Sequence, residues 1–349
     1  MHDSTATQNS IYGGLVSAQG LDLNQFEPIR THVQAWTTEA GTTVKFVEAR
    51  GLPIVDVVLR FRAGTVQDTV HPGLAALTLY MLNEGSQQYT ATQQAEHLER
   101  LGAIFEKQIR LEHATLSLRS LSSPAVLEPS LALFTNLVAQ PAFLPSALNK
   151  VKQKLLQSSA SSDRHPVLRA RSEAFRHLFN SHPYGCPLGS TVQGVTAVTT
   201  DDLRTFHQRA YSASNLEMVV VGDLSLSEAQ ALTRQISQAL PQGWSAADLP
   251  TVPAATDATL KVEQPGASSA GLLVLPMNVP ANDPEFPALV LACDVLGEGL
   301  ESRLMVELRQ RRGLTYGVHT TYRRYGQAGC SASNGKSHQR TWKVLRHWW

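Results

Sequence analysis

The sequence has few cysteines, a net charge near zero and no long apolar run, and each of these absences excludes a class of protein. Only three of its 349 residues are cysteines, Cys186, Cys293 and Cys330, and no two have the spacing of a metal-binding pair. A disulfide framework is therefore not expected, and a reducing compartment is tolerated. The formal net charge of +1 gives no overall attraction to nucleic acid or to a membrane. No apolar run reaches the roughly 18 residues that a transmembrane helix needs.

The first 30 residues also lack the basic start and apolar core of a signal peptide. They are polar and aperiodic, which predicts an extended or loosely ordered arm. The chain as it stands is expected in the cytoplasm, or in the periplasm if its true start lies upstream.

The pattern that is present predicts an α+β fold. An apolar content of 42% is enough for real cores. Two strands, Thr43–Glu48 and Ile54–Phe61, are indicated by β-branched content and partial alternation. The segment 49–53 between them is a plausible hairpin connection, and 71–82 has the apolar density of a buried helix. Further helices and strands are predicted at 90–102, 104–109, 114–119, 124–138, 145–160, 166–180, 200–211, 216–223 and 225–239.

The order of elements then begins again after a loose segment rich in Pro, Gly, Ala and Thr. Strands are predicted at 259–263 and 271–276, followed by an apolar helix at 286–296. Repetition of strand, strand and buried helix favours two copies of one unit. The predicted organisation is an arm at 1–30, a first domain at 31–240, a linker at 241–258 and a second domain at 259–349.

One stretch near the C-terminus combines a helix, a glycine and two polar side chains. Leucines at helical spacing predict a short amphipathic helix over 302–311. Gly313 is suited to end it in the left-handed conformation, and the residues that follow look extended. Arg309 and Tyr316 flank this junction, where a guanidinium and a phenol could meet a substrate carbonyl. Taken alone, the pair is explained better by an arginine on a solvated helix face and a tyrosine packed at a strand start, because lone Arg and Tyr positions carry little information.

Several motifs together resemble the pitrilysin/insulinase family of metallopeptidases and its non-peptidase relatives, over residues from about 40 to about 328. They are Ala63-Gly64, Gly73-Leu-Ala75, Met81-Leu-Asn-Glu-Gly85, His182-Pro-Tyr-Gly185, the segment 200–211, Val219-Val-Val-Gly-Asp223 and the segment 302–316. The resemblance implies two homologous α/β-roll domains, each a sheet covered by helices, which face each other across a cavity. The second domain looks truncated.

Catalytic members of this family carry a His-x-x-Glu-His motif on the first buried helix and a further glutamate downstream. Two histidines and a carboxylate hold Zn²⁺, and the motif glutamate takes a proton from the bound water. In this chain the two histidine positions are Ala76 and Tyr80, and the glutamate position is Leu79. The downstream ligand should fall near Leu156 or Gln157, and residues 150–162 contain no Asp or Glu. The chain is therefore expected to bind no zinc and to cleave no peptide alone.

In heterodimeric relatives, such as bacterial and mitochondrial processing peptidases, one subunit holds zinc and the other contributes an arginine and a tyrosine. By resemblance, Arg309 and Tyr316 would bind the substrate or stabilise the oxyanion at the zinc of a homologous partner subunit. The alternative is a non-enzymatic peptide-binding or scaffold module of the same fold. A weaker hypothesis is a metalloenzyme that uses other histidines. Glu96-His97-Leu98-Glu99 is more typical of a solvated helix face, however, and His177 and His182 of loop packing.

The C-terminal tail from about residue 330 looks unlike the family. No acidic residue follows Glu307, nine Lys or Arg do, and three of the five tryptophans are Trp342, Trp348 and Trp349. Such a tail could touch nucleic acid or a membrane surface. A frameshift or truncation explains it better, and would leave a sheet edge and apolar surface exposed. Poor solubility or dependence on a partner is then expected.

Overall fold

The computed structural model describes residues 31–68, 71–163, 165–186, 189–253, 257–263, 268–277, 279, 282–325 and 328–338. The predicted N-terminal arm at 1–30 and the end of the tail lie outside these ranges.

The described strands are β1 Gln34–Thr37, β2 Thr43–Glu48, β3 Ile54–Phe61, β4 Ile104–Ile109, β5 Ala114–Leu121, β6 Leu216–Gly222, β7 Ser268–Met277, β8 Val318–Tyr325 and β9 Ala328–His338. The described α-helices are α1 Leu74–Met81, α2 Ala91–Arg100, α3 Pro124–Ala139, α4 Pro145–Asp163, α5 Pro166–Phe179, α6 Val192–Ala197, α7 Thr200–Ala210, α8 Leu226–Ala239 and α9 Phe286–Gly297.

A six-stranded sheet organises the first part of the chain, with the strand order β1-β2-β6-β3-β5-β4. The central strand β6 is parallel to β2 and antiparallel to β3. Its apolar sequence suits this place, because a strand bonded on both edges and covered by helices meets little water. The predicted hairpin over 49–53 is therefore wrong. The segment does join β2 to β3, but β6 lies between these strands, and local sequence cannot reveal a pairing partner so far along the chain.

Most other elements of this part match the sequence prediction, and the mixed α/β fold class is confirmed. Helix α2 begins at Thr90, whose hydroxyl accepts a hydrogen bond from the Gln93 backbone N–H at 3.3 Å. Helix α7 begins in the same way at Thr199, whose hydroxyl accepts from the Asp202 backbone N–H at 3.2 Å. Both caps are reciprocal capping boxes, in which the third helical residue also accepts from the cap backbone. The short strand β1 was not predicted.

Helix α1 is the most deeply buried helix of this part. Seven of its eight residues are buried, since it packs against α4 and α7 and also touches β4. Its N-terminus is capped by the Asp68 carboxylate, which accepts hydrogen bonds from the backbone N–H groups of Gly73 and Ala75, each at 2.7 Å. Gly73 has φ = 114°, a conformation that glycine adopts without strain. The predicted buried helix is confirmed, although it is shorter than 71–82.

A second sheet with the order β7-β9-β8 contains the strands after residue 260. The predicted strand over 271–276 falls within β7, and the helix over 286–296 matches α9. The predicted strand over 259–263 is wrong, because these residues pair with no described strand and all but the partly buried Val262 are exposed. Residues 331–338 of the predicted tail lie in β9, which pairs with both β7 and β8.

Helix α9 corresponds to α1 in the predicted repeat but differs from it in burial. Only Cys293 and Gly297 are buried in α9. Leu291 and Val295 are 63% and 52% exposed. The apolar surface that the sequence predicted for this part is therefore present, while poor solubility stays a prediction.

A small aromatic cluster joins helix α5 to the second sheet. Phe175 and Phe179 of α5 pack with Leu111 and Tyr184, and Val274 of β7 contacts the same cluster. The ring centroids of Phe179 and Tyr184 are 5.4 Å apart at an interplanar angle of 84°, which is a favourable edge-to-face arrangement. The cluster thereby fixes one side of α5 against β7.

His207 links helix α7 to α3 inside the main core. Its Nε2 lies 2.7 Å from the Val138 carbonyl oxygen, and its ring stacks on Tyr211 with centroids 5.1 Å apart. Burial lowers the pKa of His207 to about 4, although the bond to Val138 acts in the opposite direction. The imidazole is therefore neutral in the folded protein at neutral pH and donates its Nε2–H to Val138.

We expect His207 to make the fold sensitive to acid. An unfolded histidine takes up a proton near pH 6.5 and the folded one near pH 4, so the stabilisation is complete above pH 6.5. It is lost as the pH falls toward 4, and about 3 kcal/mol is the upper limit of the loss. Chemical denaturation between pH 4 and 7.5 should show a flatter pH profile for His207→Gln than for the wild type.

Comparison of the two profiles removes the contributions of other titrating groups. His113, whose pKa burial also lowers to about 4, acts in the same direction as His207. Burial raises the pKa of Asp68 to about 7, so its contribution is lost as the pH rises. His97 is exposed on α2, and His97→Gln serves as the matched control. Parallel profiles for the wild type and His207→Gln would contradict the assignment.

Candidate functional site

The positions that would carry the zinc motif lie on α1 and hold no metal ligand. Ala76 is buried and has no polar side-chain atom. Leu79 is fully buried within the main hydrophobic core. Tyr80 is half-buried, and burial raises the pKa of its phenol, which keeps it neutral at neutral pH. None of the three side chains offers the imidazole or carboxylate that zinc prefers.

A lysine of strand β4 contacts the C-terminal end of the same helix. The Lys107 ammonium, on β4, donates hydrogen bonds to the Tyr80 carbonyl at 3.0 Å and to the Asn83 side-chain oxygen. It also lies 5.3 Å from the centroid of the Tyr80 ring, within the range of a cation–π interaction. Burial lowers the pKa of Lys107 to about 8, opposed by the charge of Glu84. A positive charge thus stands at the carbonyl end of α1, where the helix dipole favours it.

Sequence analysis did not identify Lys107. The β4 sequence alternates as a strand should, and a lysine on a strand is usually solvated. Its role depends on the placement of β4 beside α1, and no local signal reports that packing.

The positions on α4 predicted for a downstream ligand are also without one. Leu156 packs partly buried against the core, and Gln157 is exposed. Their neighbours Leu155 and Ser158 line a cavity of about 800 Å³ whose wall also includes Ala76 and Tyr80. The place where the family resemblance puts zinc is therefore an open cavity in this chain.

The cavity is lined by α1, α4, α5 and the segments next to them. Its lining residues fall between Thr65 and Val192, and Glu173 is the only carboxylate among them within the described ranges. One carboxylate without histidines does not fit a zinc ion, which needs three or four such ligands. No described group of three or more His, Cys, Asp or Glu side chains could hold a metal ion elsewhere.

The other histidines weighed as ligands have structural surroundings. His97 is exposed, and its ring lies 5.3 Å from that of Tyr89, as expected for a solvated helix face. His182 accepts a hydrogen bond at Nδ1 from the Tyr184 backbone N–H at 3.2 Å. Its Nε2 donates to the Pro250 carbonyl at 3.0 Å. His182 therefore caps its own turn and holds the segment after α8, in agreement with the packing role predicted for it.

Arg309 lies on a helix whose geometry differs from the prediction. The helix over 302–311 is confirmed, but Met305–Arg311 is a π-helix. The rarer i→i+5 pattern is frequent at functional sites, and amphipathic spacing alone does not reveal it. Gly313 follows with φ = 60°, which confirms the predicted left-handed end. The residues from 314 to 317 form a loop, so the extended segment begins only at β8.

The two polar side chains of this junction both face solvent. Tyr316 is 92% exposed, and Arg309 is exposed as well. Neither side chain makes a hydrogen bond or an ion pair with the part of the chain that the structure describes. By contrast, the neighbouring Arg311 and Arg312 both pair with Glu307, at 3.3 and 2.5 Å. Tyr316 therefore does not pack at a strand start. The positive charge of Arg309 has no negatively charged partner among the described residues.

Comparison with known proteins identifies relatives over most of the chain. The chain is 25% identical over 283 residues to the non-peptidase homolog YmxG of Helicobacter pylori, covering 80% of this chain and 65% of that protein. It is 26% identical over 266 residues to an uncharacterized zinc protease of Mycobacterium leprae, covering 74% of this chain and 58% of that protein. The chain thus spans less than two thirds of the length of either relative.

Solved structures give the same fold. The peptidase M16 inactive domain from Pseudomonas fluorescens superposes with a TM-score of 0.85 at 33% identity, covering 91% of this chain and 79% of that one. A protease from Helicobacter pylori superposes with a TM-score of 0.75 at 16% identity, covering 91% and 80%. The second comparison supports the fold alone. In the described part of this chain no helix is both long and apolar enough to cross a membrane.

We expect the purified protein to retain less than about 0.1 equivalent of zinc, because a stable site needs three or more suitable ligands. Metal analysis after dialysis against zinc at neutral pH checks this. A variant with Ala76→His, Tyr80→His and Gln157→Glu restores two imidazoles and one carboxylate, and should retain more zinc than the wild type. Stoichiometric zinc in the unmodified protein would contradict the expectation.

Two family models match successive parts of the chain. The model described as insulinase (peptidase family M16) matches residues 46–191, and the model described as peptidase M16 inactive domain matches residues 197–338. The second match includes the part of the predicted tail that forms β9. Taken with the Pseudomonas fluorescens structure, these matches show that the chain belongs to the insulinase family, peptidase M16, as an inactive-type member.

Proposed function

We propose that this chain is the non-catalytic subunit of a zinc metallopeptidase heterodimer. In this proposal a homologous partner subunit holds the zinc, and this chain supplies Arg309 and Tyr316. The observation that carries the proposal is the exposure of these two side chains, without partners among the described residues, in a chain whose own zinc positions are empty of ligands. An inactive domain with a solvent-facing guanidinium and phenol is suited to act on a substrate held elsewhere.

In this proposal the two side chains stabilise the transition state of peptide hydrolysis. Attack of a zinc-bound water on a peptide carbonyl creates a negatively charged oxygen. A guanidinium N–H and a phenolic O–H held nearby donate hydrogen bonds to that oxygen or to the neighbouring peptide backbone. Because such donors act where the charge develops, each typically contributes a few kcal/mol.

The local structure supports this role in two ways. Glu307 already pairs with Arg311 and Arg312, so the carboxylate nearest in sequence is engaged and Arg309 is left to meet an external group. The π-helix and the left-handed Gly313 shape the backbone between the two side chains. Substitution of Gly313 by a residue with a Cβ would strain this connection.

A second candidate function is a non-enzymatic peptide-binding or scaffold module. The observation that favours it is the cavity at the former zinc position, which is open although its catalytic groups are absent. The domain division at 31–240, 241–258 and 259–349 also stays a proposal.

The heterodimer predicts peptidase activity only after this chain is mixed with a zinc-bearing homologue from the same cell. Arg309→Ala and Tyr316→Phe should each lower kcat/KM of the mixture by roughly 10- to 1000-fold, since each removes one donor to the developing oxyanion. Cleavage of a fluorogenic peptide measures the rate, and size-exclusion chromatography checks that the two subunits still associate.

Arg311→Ala is the matched control. It removes an arginine from the same π-helix, but one that is paired with Glu307. Its mixture should cleave at nearly the wild-type rate. Unchanged rates for both Arg309→Ala and Tyr316→Phe would show that the proposed role is wrong. A zinc-bearing homologue that cleaves the peptide equally fast with and without this chain would favour the binding module.

A further inference from the structure

The cavity lined by Ala76 and Tyr80 has a basic wall. Neither the heterodimer nor the binding module assigns a role to this wall. Among the described lining residues, three are arginines, namely Arg110, Arg169 and Arg176, and one is a carboxylate, Glu173. The guanidinium is the side-chain group best suited to bind a carboxylate or phosphate through two parallel hydrogen bonds. The excess of arginine over carboxylate in this wall therefore favours a negatively charged ligand.

Helix α5 supplies most of the basic wall. Arg169, Ser172, Glu173 and Arg176 all line the cavity, and their spacing of three and four residues places them on one face of the helix. The adjacent flank of α5 carries Phe175 and Phe179, which pack against the second sheet. The polar face is thereby held toward the cavity.

Two of the three arginines lack a counter-charge. Arg176 is paired with Glu173 at 2.6 Å. Arg110 uses its Nε to donate to the Gln108 side chain at 2.8 Å, a neutral partner. Arg169 makes no side-chain hydrogen bond or ion pair within the described ranges. Because Arg169 is also half-buried, its charge is less screened than that of a surface arginine.

The size and the remaining lining suit an extended ligand. The volume of about 800 Å³ is large for a single inorganic anion and falls within the range of pockets that hold small molecules or short peptide segments. Ala76, Leu155 and Leu111 provide apolar wall, while Ser158 and Thr65 provide hydroxyl groups. A ligand with a carboxylate and an apolar or peptide body would contact both kinds of surface.

We propose that this cavity binds acidic peptide segments without cleaving them, with Arg169 and Arg110 as the groups that bind the ligand carboxylates. The proposal specifies a ligand class for the peptide-binding alternative and does not depend on a zinc-bearing partner. It is therefore tested on this chain alone, whereas the heterodimer is tested by mixing.

The direct test uses a fluorescein-labelled peptide with alternating Glu and Ala, and its Gln and Ala analogue of equal length. Fluorescence anisotropy should show binding of the acidic peptide only, weakening as salt is added. Arg169→Ala should weaken binding by about tenfold or more, as expected for loss of a charged hydrogen bond. Glu173→Gln should tighten binding, because it removes the only described carboxylate of the wall and frees Arg176.

The matched control is Arg234→Ala. Arg234 is an exposed arginine of α8 that does not line the cavity, so its loss changes the net charge equally and should leave binding unchanged. Arg169→Met keeps the aliphatic stem of the side chain and serves if Arg169→Ala lowers stability. Equal affinity for Arg169→Met, Arg234→Ala and the wild type would overturn the proposal, as would equal binding of the Gln peptide.

An independent measurement follows the reactivity of a cysteine in the cavity wall of the wild-type chain. Cys186 is exposed and lines the cavity, so the acidic peptide should slow its alkylation by N-ethylmaleimide, as followed by mass spectrometry of the segment that contains it. Prior attachment of a bulky maleimide there should block binding. Unchanged alkylation at saturating peptide would overturn the location of the site. Displacement of the peptide by inorganic phosphate at lower concentrations than by free acidic peptide would overturn the peptide as ligand.

Discussion

Helix α1 has both ends held by polar side chains that come from outside the helix. At its start the Asp68 carboxyl group accepts from two backbone N–H groups. At its end the Lys107 ammonium donates to carbonyl oxygens and lies beside the Tyr80 ring. A buried apolar helix cannot satisfy its terminal groups with water, so these two residues replace the solvent. The positive charge of Lys107 is also the one that the helix dipole favours at a C-terminal end.

The helix that the family resemblance assigns to the metal motif has structural roles in this chain. Leu79 is part of the hydrophobic core, and Lys107 places a cation at the C-terminal end of the helix. Ala76, in contrast, is small and leaves space, so a cavity persists. The cavity of this chain therefore combines an open volume with a wall that carries three arginines and, among the described lining residues, one carboxylate.

The sequence predicts local structure well and pairing at a distance poorly. Alternation located β3 to the residue, and the helices predicted over 90–102 and 200–211 match α2 and α7 closely, because these signals lie within a few residues of the element they define. The partners of β2 and β3 lie in β6, more than 150 residues further along, and no local signal reports this. For the site, the motif predicted the loss of ligands at Ala76, Leu79 and Tyr80. The arginines of the cavity wall come together only through the packing of α5, which periodicity does not specify.

The central place of β6 has a consequence for how the protein is made. Synthesis proceeds from the N-terminus, so β2 and β3 leave the ribosome long before the strand that lies between them. Until residue 222 has emerged, each of these two strands exposes an unpaired edge rich in valine, isoleucine and phenylalanine, which is the kind of edge that recruits other chains. The nascent chain therefore exposes these two edges from the emergence of β3 until β6 follows, and during this interval it is most prone to associate with other chains.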